Sequence, residues 1–223
     1  MTASRWRSPA TVQSPRRAAR LVRAAPRGWA TAAADAGRGA ILVVAAASLV
    51  AGDGAAALKA LLVLLPAVAS RLVGVAPVFD LVFVVALAGE AIATALGAYD
   101  SLSWGDTLSH LALPLLSGPV VYVGLVRLVG IEPGAPTPRY SVIAVALVTA
   151  VSVFCLGVAW ELVEWTADDT FGTNYSQGYT DTLRDLRNDA IAAVASGTLV
   201  AMWLWRAPRG IGGAPGGRTE SAP

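Results

Sequence analysis

Six stretches of this chain are nearly unbroken apolar runs, at about 36–51, 55–73, 77–98, 107–130, 141–165 and 182–205. Most approach the roughly 20 residues that a helix needs to cross a bilayer. In lipid the backbone must satisfy its own hydrogen bonds, and a run of this length does so as a helix. The expected fold is therefore all-α, a polytopic transmembrane helical bundle of about six spans. The run at 36–51 is short for a span and stops at the turn signal Gly52-Asp53-Gly54. Composition agrees: 14% of the residues are charged, where a soluble domain carries roughly 25%.

Residues 1–35 read as a basic, disordered cytoplasmic tail with Arg5, Arg7, Arg16, Arg17, Arg20, Arg23 and Arg27. Residues 36–206 form the transmembrane domain, and the Gly- and Pro-rich 207–223 a second disordered tail. No apolar core follows Arg16-Arg17 promptly enough for a twin-arginine export signal. With the N-terminus inside and six alternating spans, both ends are cytoplasmic (N-in/C-in). The tail arginines, Arg38, Arg71, Arg127, Arg139, Arg206, Arg209 and Arg218 then lie inside, and only Lys59, Arg184 and Arg187 outside. Trp104, Trp160 and Trp165 would mark the outer interface, and Trp29, Tyr140, Trp203 and Trp205 the inner one. The net charge of +2 is no nucleic-acid signature, because the arginines sit in tails and short loops. Cys155 is the only cysteine, which excludes an intramolecular disulfide, a zinc ribbon and a dithiol redox motif.

The stretch Trp160–Gly197 concentrates acids in a chain otherwise poor in charge. Asp at mid-bilayer costs about 2.5–3.5 kcal/mol on insertion scales, so such residues need a purpose. In the expected topology Asp106 and His110 (i, i+4), Glu161 and Glu164 (i, i+3), and Asp181, Asp185 and Asp189 with Asn188 form polar stripes on three helices. All three stripes fall near the outer surface, and Glu90 would join them from below. Carboxylates with one imidazole are hard ligands, suited to Mg²⁺, Mn²⁺, Ca²⁺ or iron. The candidate metal ligands are His110, Glu161, Glu164, Asp181, Asp185 and Asp189, and the candidate catalytic groups Glu161, Glu164, His110 and Asp185. Crowded carboxylates also suit acid–base work.

Plainer roles compete. Asp168 and Asp169 read as solvated loop charges, and Asp106 and Asp181 as residues complementing or capping helix N-termini. His110 could simply bond a carboxylate, and Glu161 could pair with Arg184 or Arg187. Pro114 and Pro119 are expected to kink their helix. No Ser-His-Asp set, phosphate loop or HExxH pattern is present.

Four pieces carry a family resemblance: Tyr99-Asp100 through Asp106-Thr-Leu-Ser-His110, Trp160-Glu161-Leu-Val-Glu164-Trp165, Phe171-Gly172-Thr173-Asn174, and Asp181 through Leu186. Together they resemble the YjdF-like bacterial inner-membrane family, a group of unknown function, over residues 55 to 200. Either Asp100 or Asp106 would supply the aspartate of the pattern before the His-containing helix. More distantly, Asp106-x-x-x-His110 and Asp185–Asn188–Asp189 look like the VanZ-like envelope proteins, linked to glycopeptide resistance. The resemblance implies a multi-pass protein of the bacterial cytoplasmic (inner) membrane, but no substrate. The leading expectation is a polar, metal-binding extracytoplasmic site acting on lipid head groups or envelope precursors. The rivals are a small transporter or ion-coupled permease using Glu90 and Asp189, and a structural or sensory protein whose acids only form ion pairs.

Overall fold

The computed structural model describes residues 28–102, 104–130 and 140–205, all helix and short connections among the described residues. The helices are α1 (Trp29–Ala51), α2 (Gly54–Val73), α3 (Pro77–Ala95), the four-residue α4 (Ala98–Ser101), α5 (Gly105–Leu128), α6 (Tyr140–Phe171) and α7 (Tyr179–Trp205). Residues 1–27 and 206–223, with Arg206, Arg209 and Arg218, Arg139, and the side chains of Asp100 and Tyr140 lie outside the described residues. The first span is longer than expected. α1 starts at Trp29, so residues 29–35 belong to it rather than to the tail, and its 23 residues suffice to cross a bilayer.

Local signals set the boundaries. Gly52 takes a left-handed φ of 81° that closes α1, and the Asp53 side chain then accepts the Ala56 N–H to open α2. Gly74, at φ 68°, ends α2, and Pro77 opens α3. Pro66, Pro114 and Pro119 all lie inside their helices.

α1, α2 and α3 pack on one another; α5, α6 and α7 form a second group; α3 against α5 joins the two. Five helices are long and apolar enough to span a membrane. α7 is equally long, but its charges crowd its first half, where Asp185, Asn188 and Asp189 are buried beside α5 and α6. Its polar face meets protein rather than lipid, which is how such residues are tolerated in a bundle.

Small residues bring the helices together, as expected where packing rather than water drives association. A Cβ on Gly197 would lie 2.3 Å from the Ala146 carbonyl oxygen of α6, and one on Gly37 would lie 2.8 Å from Val84 of α3. At the end opposite the acidic stripes, Arg38 is buried inside α1 rather than free in a cytoplasmic segment. It reaches Asp80 at 2.5 Å, the Ala67 carbonyl at 2.7 Å and Asp35 at 2.9 Å, while Ser70 donates to Asp80 at 2.7 Å. Arg71 and Arg127 lie at the same end, Arg71 beside Asp35 and Arg127 against Gly74.

Gly197→Ala should therefore cost about 1–3 kcal/mol by overpacking α6 against α7. Gly89→Ala, whose Cβ would meet nothing within 4 Å, should be close to neutral. Denaturing-detergent titration of the purified protein measures both.

Candidate polar site

Apart from Asp80, which pairs with Arg38, the buried acids of the bundle gather at one end in two adjoining groups. Lys59 on α2 is at the centre of the first. Its Nζ lies 3.0 Å from Glu90 Oε1 of α3 and 3.4 Å from Glu164 Oε1 of α6, all three side chains being buried. Tyr99 and Ser109 both donate to Glu90 Oε2, Ser109 at 2.7 Å. The rings of Tyr99, Trp160 and Tyr175 surround the ammonium at 5.1, 5.8 and 5.5 Å, close enough for cation–π attraction. Burial raises the Tyr99 hydroxyl above its ordinary pKa, and the neighbouring Glu90 carboxylate adds to this. Burial likewise raises Tyr175. Both rings thus keep their protons and act as donors.

His110 is the hub of the second group. Its Nδ1 bonds Asp189 Oδ1 of α7 at 3.1 Å, which leaves Nε2 turned toward Asp106 Oδ1 at 3.7 Å and Glu161 Oε1 at 3.8 Å. Two sets of donor atoms, Asp106–His110–Asp185 and His110–Glu161–Asp189, each lie within 4.8 Å of one another. Glu161 Oε1, Asp185 Oδ1 and Asp189 Oδ2 are buried without a hydrogen-bond partner, as is Asn188 Nδ2. Gly157 on α6 makes room for this arrangement, since a Cβ there would fall 2.3 Å from Asp189 Oδ2.

Separations of 3.7–3.8 Å are too long for hydrogen bonds. They are compatible with a shared ion, since two donors each about 2.0–2.2 Å from one ion lie within roughly 4.4 Å of each other. A ligating histidine commonly gives its other ring N–H to a carboxylate that fixes its orientation, and Asp189 occupies that position on His110. The groups able to hold an ion are therefore His110 with Asp106 and Asp185, or His110 with Glu161 and Asp189.

The remaining expected residues fall elsewhere. Glu164 pairs with Lys59 instead of joining the His110 group. Asp181 binds the Gln177 N–H and Arg184 at the start of α7, one turn outside. Arg184 thus takes Asp181 rather than Glu161, and Arg187 reaches Asn188. Glu90 has a cation beside it and is no lone acid. Asp168, expected as a solvated charge, fastens the loop between α6 and α7 by accepting from Thr173 Oγ1 at 2.5 Å and from the N–H groups of Tyr175 and Ser176 at 2.9 and 3.0 Å. Trp160 and Trp203 turn inward, onto Lys59 and Phe79 respectively, whereas Trp29, Trp104, Trp165 and Trp205 remain exposed.

Sequence reasoning missed Lys59, Tyr99, Ser109 and Tyr175 as parts of the site. A lysine in an apolar span was a usable signal for the first. Tyr99 and Ser109 fall inside a piece that carries the family resemblance, but their roles follow from where the neighbouring helices place Glu90.

A cavity of about 300 Å³ runs inward from these groups. Glu90, Ser109, His110 and Asp189 line its polar end, and the body is apolar, including Leu87, Leu113 and Val153.

Lys59→Met should destabilise the protein by about 3–5 kcal/mol, because two buried carboxylates lose their cation. Adding Glu90→Gln and Glu164→Gln should recover much of that loss, as read from thermal unfolding in detergent.

No curated protein and no solved structure matches the chain. Residues 37–207 match the model of the family described as "Predicted membrane protein (DUF2238)", in line with the membrane-family resemblance carried by the His110 and Glu161–Glu164 motifs. The match takes in every helix that contributes to the polar site, and the chain is a multi-pass membrane protein belonging to this family.

Proposed function

We propose that the His110 group binds a divalent cation and that this centre acts on lipid head groups or envelope precursors at the extracytoplasmic side of the bacterial cytoplasmic membrane. The observation that carries this reading is a charge imbalance. Lys59 offsets Glu90 and Glu164. Beside it, Asp106, Glu161, Asp185 and Asp189 face one imidazole, and three of their buried oxygens have no partner. Buried carboxylates left this way cost several kcal/mol unless paired or bound to metal. An all-oxygen set with one imidazole suits Mg²⁺, Mn²⁺ or Fe²⁺ better than a thiolate metal.

His110, Asp106 and Asp185 would hold the ion, with Asp189 orienting the ring. A bound ion would polarise a phosphoryl or carbonyl oxygen and lower the pKa of a bound water. Glu161, at the edge of the group, is placed to take a proton from such a water. The outward orientation rests on the arginines: Arg71 and Arg127 lie at the far end of the bundle, as the positive-inside rule asks of a cytoplasmic face. The transport alternative used Glu90 and Asp189 as relays, and Glu90 is paired with Lys59 rather than standing alone.

Elemental analysis of detergent-purified protein should find a stoichiometric divalent ion, lost in a Glu161→Gln, Asp185→Asn double variant. Chelation should lower the Tm of the native protein and leave that of the variant unchanged. Asp189→Asn should retain the ion with about 10–100-fold weaker affinity. An ion absent from native protein and variant alike would refute the metal reading.

A further inference from the structure

The cavity beneath the polar groups has a shape and a mouth that the metal reading does not use. Its volume of about 300 Å³ is room for about ten groups the size of a water or a methylene. Nearly all of its lining is apolar; the charged and titratable side chains Glu90, His110 and Asp189 sit with Ser109 at one end, and Ser117 farther in spends its hydroxyl on the Pro114 carbonyl. That is the profile of a single hydrocarbon chain with a head, not of a water-filled path. The mouth lies on the flank of the bundle. Pro66 of α2, half-buried, and the exposed Leu156 and Ala159 of α6 are the lining residues nearest the outer surface, and the side opening is assigned between them. These two helices scarcely approach each other along their backbones. Val153 is buried, whereas Leu156 and Ala159 are exposed on the outer surface of a membrane-spanning helix. A side opening at that height faces acyl chains. On the aqueous side, the loop after α6 crosses the bundle end, and Tyr175 donates to the Ala55 carbonyl at the start of α2.

We propose that a membrane amphiphile enters sideways between α2 and α6, lodges one hydrocarbon chain in this cavity, and thereby brings its head to Glu90, His110 and Asp189. This deepens the reading of the site as one that acts on lipid, but the chain-binding step requires no metal.

The test uses the full-length protein in vesicles of phosphatidylethanolamine and phosphatidylglycerol with a trace of phosphatidylcholine carrying a diazirine in its acyl chain. After illumination, peptide mass spectrometry locates the label. Inward-facing Leu87, Leu113 and Val153 should be labelled as well as the lipid-facing Leu147 and Val151. Ala159→Trp, at the exposed rim, should reduce the inward label about tenfold while sparing the outer label. Val43→Trp, exposed on α1, which contributes nothing to the cavity lining, should change neither. The Glu161→Gln, Asp185→Asn variant should keep the inward label even where it loses its ion, so failure of the metal reading leaves this result standing. Label confined to the outer residues, or inward label indifferent to Ala159→Trp, would overturn the proposal.

Discussion

A charge in hydrocarbon has to be answered from within the protein, and this constraint organises both ends of the bundle. Near one end Arg38 is held by Asp80, Asp35 and the Ala67 carbonyl. At the other Lys59 is held by Glu90, Glu164 and three aromatic rings. Each network ties helices of the first group together, and the Lys59 network also reaches α6. The helices are thus joined by a few buried ion pairs in addition to close packing of small residues such as Gly37 and Gly197. Buried ion pairs of this kind contribute little net stability over apolar packing, but losing one partner is severe.

Against that background the His110 group is the exception. Everywhere else among the described residues, buried acids such as Asp80, Glu90 and Glu164 face a basic side chain. Here four carboxylates converge on a histidine, and the geometry around them has been made possible by a glycine, Gly157, in the facing helix. Sites with unmet electrostatic demand inside a folded protein tend to be functional, since selection for stability alone would remove them. An apolar cavity leads away from the same groups, with Glu90, His110 and Asp189 among its lining.

The sequence made much of this legible. Apolar run lengths located the helices, the Gly52-Asp53-Gly54 turn located the first hairpin, and i, i+3 and i, i+4 spacing put Asp106 with His110 and Asp185 with Asp189 on shared faces. Spacing along one helix says nothing about rotation relative to the next. That is why Glu164, one turn from Glu161, was grouped with His110 although it turns to Lys59, and why Trp160 was assigned to the interface although it faces inward. The start of α1 was misread because residues 29–35, though alanine-rich and so good helix formers, were grouped with the arginine-rich stretch before them and end in the charged Asp35.

The loop after α6 has a consequence of its own. Asp168 gathers three donors from Thr173 to Ser176, and this rigid bend carries Tyr175 across to Ala55. The loop thereby acts as a roof beam resting on the hairpin of α1 and α2. If the proposed side entry holds, solutes dissolved in water would meet this roof, whereas molecules already dissolved in the bilayer would meet an unroofed wall. Visitors would then be sorted by the phase they arrive from before any side chain tests their chemistry.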